Sequence, residues 1–215
     1  EYRRAADYIE GQFQKMGFEV EREEVEAGTR TFDNVYVEVE GRTRSDEVVV
    51  IGAHYDAPPG SPGADDNASG VAAVLELARR LREAEPERTI RFVAFANEEP
   101  PYFQTEGMGS VVHARGAKER GETIELMVSL EMLGYYSDEE GSQDYPPLVG
   151  LFYPDRGDFI GVVSTWGQGR HVRDVAGRLG KQTAVPVEHL TAPAFVTGVS
   201  LSDHWAFDQH GFPAI

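Results

Sequence analysis

Three segments of the chain end on side chains that can bind a metal or move a proton: Gly52-Ala53-His54, Asn97-Glu98-Glu99 and Leu130-Glu131. Asp65-Asp66 lies in the loop that follows the first. One imidazole among several carboxylates suits Zn²⁺ or a similar borderline cation, and a carboxylate can bridge two such ions. With no cysteine in 215 residues, a transition metal must be held by His, Asp and Glu. Each piece alone is weak, because a lone His after a strand, an Asp-Asp-Asn loop and adjacent glutamates usually serve turns or solvated surface. Their shared position at strand ends makes the metal reading the stronger one.

Neighbouring side chains leaving a strand point to different sides, so Glu98 and Glu99 cannot both coordinate in the same way. One can bind metal while the other takes a proton from water and passes it to a leaving amine; the pattern alone does not say which. His54 and Asp56 share a strand face. Asp56 can therefore accept a hydrogen bond from the ring N–H of His54 and fix its tautomer.

The elements that position these groups follow from periodicity. Tyr2 to Met16 repeats apolar residues at helical spacing and stops at Gly17. Alternation in Phe18–Val25 and Val35–Val39 predicts half-buried antiparallel strands. Glu47–Ala53, Thr89–Ala96 and Thr123–Leu130 are continuous, largely β-branched apolar runs, as strands covered on both faces require. They end at His54, at Glu98-Glu99 and at Glu131. Helices are predicted with an apolar face of Val71, Val74, Leu75, Ala78 and Leu81, from Ser110 to Glu119, and from Arg170 to Leu179. Leu148–Tyr153 and Phe159–Val163 read as strand material, and Ser202-Asp203-His204 as an N-cap opening a last short helix. The loops Tyr102–Gly107, Tyr135–Pro147 and Thr191–Ser200 are candidate pocket walls that carry no readable residue preference.

This order predicts an α/β fold, a single domain with a central mixed, mostly parallel sheet flanked by helices. In such sheets ligands collect at the C-terminal strand ends, where the metal site is expected. The length suits one domain. A net charge of −17 repels phosphate backbones and anionic lipid headgroups, which argues against nucleic acid and membrane as partners, and no apolar run reaches membrane-helix length.

Taken together, Gly52-Ala53-His54-Tyr55-Asp56, Pro62-Gly63-Ala64-Asp65-Asp66-Asn67-Ala68-Ser69-Gly70, Asn97-Glu98-Glu99, Leu130-Glu131-Met132 and Ser202-Asp203-His204 resemble the leucyl-aminopeptidase-like co-catalytic zinc exopeptidases. Relatives of that family include glutamate carboxypeptidases and glutaminyl cyclases. The resemblance spans nearly the whole chain. It implies a zinc aminopeptidase acting on peptides, with His54 and Glu131 on one zinc, Glu99 on a second, Asp66 bridging, and Glu98 as general base. The family often has Asp where Glu131 stands. The resemblance also implies a cis peptide at Asp66-Asn67 and that His204 is not a metal ligand; Asp203 and His204 then stand beside the site, or else form an N-cap next to an exposed His. His113, His171, His189 and His210 read as structural or surface residues. The family's second zinc takes a histidine from a His-Thr segment downstream, and residues 1–215 end before one. The chain is thus expected to be one peptidase domain truncated at both ends, with an incomplete second metal site. The alternatives are another metal amidohydrolase of this architecture, namely a carboxypeptidase, acylase or glutaminyl cyclase, or a binding domain without catalysis. The resemblance favours a secreted or periplasmic setting.

Overall fold

The computed structural model describes residues 2–145 and 149–215. They form two compact units, Glu1–Met132 with Ser202–Ala214, and Leu133–Leu201 with Ile215. In chain order the elements are α1 (Tyr2–Lys15), β1 (Glu21–Ala27), β2 (Arg30–Val39), β3 (Arg44–His54), α2 (Ala68–Leu81), β4 (Arg88–Phe95), α3 (Gly109–Arg120), β5 (Thr123–Ser129), β6 (Ile160–Thr165), α4 (Gly169–Leu179), β7 (Val187–Ala192) and α5 (His204–Gln209).

The first unit is built on a five-stranded sheet in the order β1-β2-β4-β3-β5. β1 and β2, and β2 and β4, pair antiparallel, while β4-β3 and β3-β5 are parallel. The fold is α/β with a mixed sheet, and its parallel part is the part that carries the strand-end residues. Side-chain alternation sorts the core by face. Phe92 and Ala94 of β4 pack with Phe13 of α1 and Val74 and Ala78 of α2. Val93 and Phe95 point the other way, into a cluster with Val111 and Ala114 of α3 and Phe207 of α5. Each of the large buried side chains in these clusters stabilises the fold by about 1.5–3 kcal/mol.

Boundaries depart from the sequence reading in places. Phe18–Val20 do not join β1, because Gly17 takes φ 84° and the Phe18 N–H returns to the Phe13 carbonyl, closing α1 instead. β5 is less buried than its apolar run implies. It lies at the sheet edge, meeting only a single bridge from Met127 to Ala214 beyond it, and Ile124 and Met127 are its buried residues. In the second unit β6 and β7 form a parallel pair. β7 was not legible as a strand. Of the strand expected at Leu148–Tyr153, Val149–Leu151 form a 3-10 turn. Leu148 lies outside the described residues, as do Pro146 and Pro147 at the end of the Tyr135 loop. Among the described residues no helix is long and apolar enough to cross a membrane.

Gly52 shows how tightly the parallel core is built under the strand ends. A Cβ on Gly52 would lie 2.3 Å from Cε2 of the buried Phe95 ring. Gly52→Ala is expected to lower stability by about 1–3 kcal/mol, seen as a reduced urea midpoint, and to cost less in a Phe95→Leu background. An unchanged midpoint in the single variant would contradict this packing.

Candidate metal centre

β3 and β4 run in register, with His54 beside Phe95, and the Tyr55 N–H donates to the Phe95 carbonyl at 2.9 Å. Beyond Phe95 the chain turns at Asn97, which adopts φ 59° and donates from Nδ2 to the Gly107 carbonyl. The turn presents the next two amides to Asp56. Asp56 Oδ1 accepts from the Glu98 N–H and Oδ2 from the Glu99 N–H, both at 3.0 Å. The same carboxylate lies 3.4 Å from His54 Nδ1. Asp56 therefore does more than orient the imidazole, the task expected for it; it also joins the two strand ends.

The other face of the imidazole meets the remaining candidates. His54 Nε2 lies 3.3 Å from Asp66 Oδ1, 3.4 Å from Glu131 Oε2 and 3.8 Å from Glu98 Oε2. Ligand atoms of His54, Asp66 and Glu99 all lie within 4.8 Å of one another. Tetrahedral zinc with bonds of about 2.0–2.1 Å separates its ligand atoms by about 3.3 Å, so the distances from His54 Nε2 to Asp66 and to Glu131 each suit a shared ion.

Two residues that the sequence reading left in other roles hold this arrangement together. Asn67 Oδ1 accepts from Gly70 N at the start of α2 and from Met132 N, while its Nδ2 donates to the Leu130 carbonyl at 2.9 Å. It ties the Asp66 loop to the Glu131 turn. A Cβ on Gly70 would come within 2.4 Å of both Asn67 Oδ1 and the Leu130 carbonyl, so this close approach requires glycine. The Asp66-Asn67 peptide is cis, as the resemblance implied. Ser202 donates from Oγ to Glu131 Oε2 at 2.8 Å and lies 2.8 Å from Ser129 Oγ.

Ser202-Asp203-His204 opens the last short helix as expected, but without a side-chain cap. Asp203 occupies the cap position of α5 but makes no side-chain capping bond. It is fully buried, close to Ser110, and its charge is felt by His54. His204 is buried too, not exposed as a simple cap neighbour would be. His113 is structural as expected, completely buried between Glu23 at 2.7 Å and Arg91 at 3.2 Å.

Crowding shifts the acids. Burial, and then the Asp203 charge, push the Glu98 carboxyl up to about 9. Burial and then Asp66 push Glu99 up to about 6. Burial raises Asp203 to about 7. Asp66 is held below the usual carboxylate range, chiefly by the adjacent His54 imidazole. For His54, burial works against the charged form, but the neighbouring carboxylates of Asp56, Asp66 and Glu131 outweigh it and raise the imidazole far above its ordinary value. A group of acids crowded around one imidazole, with Glu98, Glu99 and Asp203 pushed up, is a place where a dication relieves repulsion.

Residues 34–215 match the sequence profile of Peptidase family M28, and the chain belongs to that family. It is 39% identical to the uncharacterized protein YfbL of Escherichia coli strain K12 over 221 residues, covering 99% of this chain and 67% of that protein. The structure of BSAP, a zinc aminopeptidase from Bacillus subtilis, superposes with TM-score 0.63 at 27% identity, over 87% of this chain and 40% of that one. A glutaminyl cyclase from an Acidobacteriales bacterium has the same fold, with TM-score 0.67 at 19% identity, over 97% of this chain and 68% of that one. The chain spans from 40% to 68% of the length of these compared proteins.

Asp56→Ala leaves both glutamate amides without their acceptor and His54 Nδ1 without its neighbour. It is expected to lower zinc affinity about 10–100-fold, measured by competition with a chromogenic chelator on protein that retains its circular dichroism. Unchanged affinity would show that the carboxylate does not position the site.

Proposed function

We propose that the chain carries the catalytic site of a zinc-dependent aminopeptidase that removes N-terminal residues from peptides. The observation that carries this reading is the division between the adjacent glutamates. Glu99 shares a donor cluster with His54 and Asp66, whereas Glu98 lies in the same acidic group but outside that cluster, 3.8 Å from His54 Nε2. His54, Asp66 and Glu131 would hold one ion and Glu99 a second, with Asp66 shared. Bound zinc supplies Lewis acidity and makes water acidic enough to lose a proton near neutral pH. Glu98 takes that proton on its carboxylate and returns it to the departing amine, so one group serves as base and then as acid. Asp56 keeps Glu98 and Glu99 in register throughout, and Ser202 orients Glu131. The surplus of acidic side chains suits the free ammonium group of a peptide's first residue. The family match and the likeness to BSAP support this reading.

Glu98→Gln is expected to reduce kcat on an aminoacyl p-nitroanilide by about 10²–10⁴-fold while the zinc content of the purified protein stays unchanged. Retained activity would contradict the base assignment. On the unaltered enzyme, cleavage should require a free α-amino group. Hydrolysis of N-acetylated substrates alone, or cyclisation of an N-terminal glutamine without hydrolysis, would replace the aminopeptidase reading with one of the related amidohydrolases.

A further inference from the structure

The second compact unit contains a cavity of about 280 Å³ that shares no residue with the cluster around His54. Its floor is one face of the β6-β7 pair. Gly161 stands opposite Glu188 and Val163 opposite Leu190, and all four line the cavity. The alternate residues Val162 and Ser164 are buried on the other face, where α4 packs. Tyr145 and Tyr153 form a wall, their ring centroids 5.8 Å apart and their planes inclined by 34°. Both hydroxyls are committed to backbone carbonyls, Tyr145 to Pro154 at 2.7 Å and Tyr153 to His189 at 2.8 Å, which fixes the rings. Burial, and for Tyr153 next and for Tyr145 also next the charge of Glu188, push both phenols above their ordinary value, so the Glu188 carboxylate acts on both rings.

Asp144 joins Glu188 at the lining, which includes no Lys or Arg among the described residues. Carboxylates beside aromatic rings select a cation, through charge-assisted hydrogen bonds and attraction to the ring faces. Phe159, Val163 and Leu190 add apolar contact, and the other lining groups, among them Gln143, His189 and Thr197, supply no further carboxylate, so the cavity lacks the ring of oxygens that a hard metal ion takes. A cation carried on an apolar stem matches both halves. We propose that this cavity binds an organic cation, the guanidinium or alkylammonium head of a basic peptide side chain.

The test is calorimetric titration of the full chain with N-acetyl-arginine methylamide, N-acetyl-lysine methylamide and tetramethylammonium, set against the neutral isostere N-acetyl-citrulline methylamide. The arginine or lysine probe is expected to bind at least about tenfold more tightly than the citrulline probe. Glu188→Gln and, separately, Tyr153→Leu should each weaken that binding by about tenfold, with near-ultraviolet circular dichroism reporting that the variants are folded. Preference for tetramethylammonium over both amino-acid probes would keep the cation site but reject a peptide side chain as its source. Equal binding of the arginine and citrulline probes, or binding indifferent to both substitutions, would overturn the proposal. Because the readout is binding lost at Glu188 and Tyr153, failure here leaves the hydrolase reading untouched, and the reverse also holds.

Discussion

The carboxylate of Asp56 is the constraint on which the site depends. It accepts two amide hydrogen bonds from the end of β4 and faces the ring nitrogen of the histidine that ends β3. Parallel strands align their C-terminal ends, but alignment alone does not fix where the chain turns next. Asp56 fixes it for Glu98 and Glu99 together, and in doing so sets their distances from His54. A buried acceptor with two charge-assisted bonds is also expensive to lose, because its removal strands both donors.

Around that anchor the fold concentrates negative charge where it is least comfortable. Asp56, Asp66, Glu98, Glu99, Glu131 and Asp203 all act on one imidazole or on one another, and burial raises several of them. A core optimised only for stability would not collect acids in this way. The hydrophobic clusters on both faces of the sheet make the arrangement tolerable, since the strand ends rest on Phe92 and Phe95 and cannot splay apart. Asn67 and Ser202 then hold the Asp66 loop and the Glu131 turn from outside the strands.

Much of this was legible in the sequence because it depends on local rules. Continuous apolar runs marked β3 and β4, and the residue types at their ends marked the site. The candidates could be named because the histidine and the glutamates follow strand ends, whereas the division of them into ligands and base came from the family resemblance. What was not legible depends on contacts distant in sequence. Ser202 looked like a helix cap, and only the approach of Glu131, 71 residues earlier, shows where its hydroxyl goes. Asn67 could be read as a turn residue before α2 but not as the link to Leu130 and Met132. β7 was missed because Val187-Glu188-His189-Leu190-Thr191-Ala192 is short and mixed in polarity, and its strand form comes from pairing with β6. β5 was read as buried on both faces because an apolar run does not reveal a position at the sheet edge.

We propose that His54, Asp66, Glu99 and Glu131 form a metal site organised by Asp56. An anomalous-scattering map of zinc-soaked crystals tests it most directly, since it locates each ion and its ligands. One peak is expected among His54, Asp66 and Glu131, and a second near Glu99 about 3.5–4 Å away. Zinc peaks confined to other surface acids, with none beside His54, would contradict it.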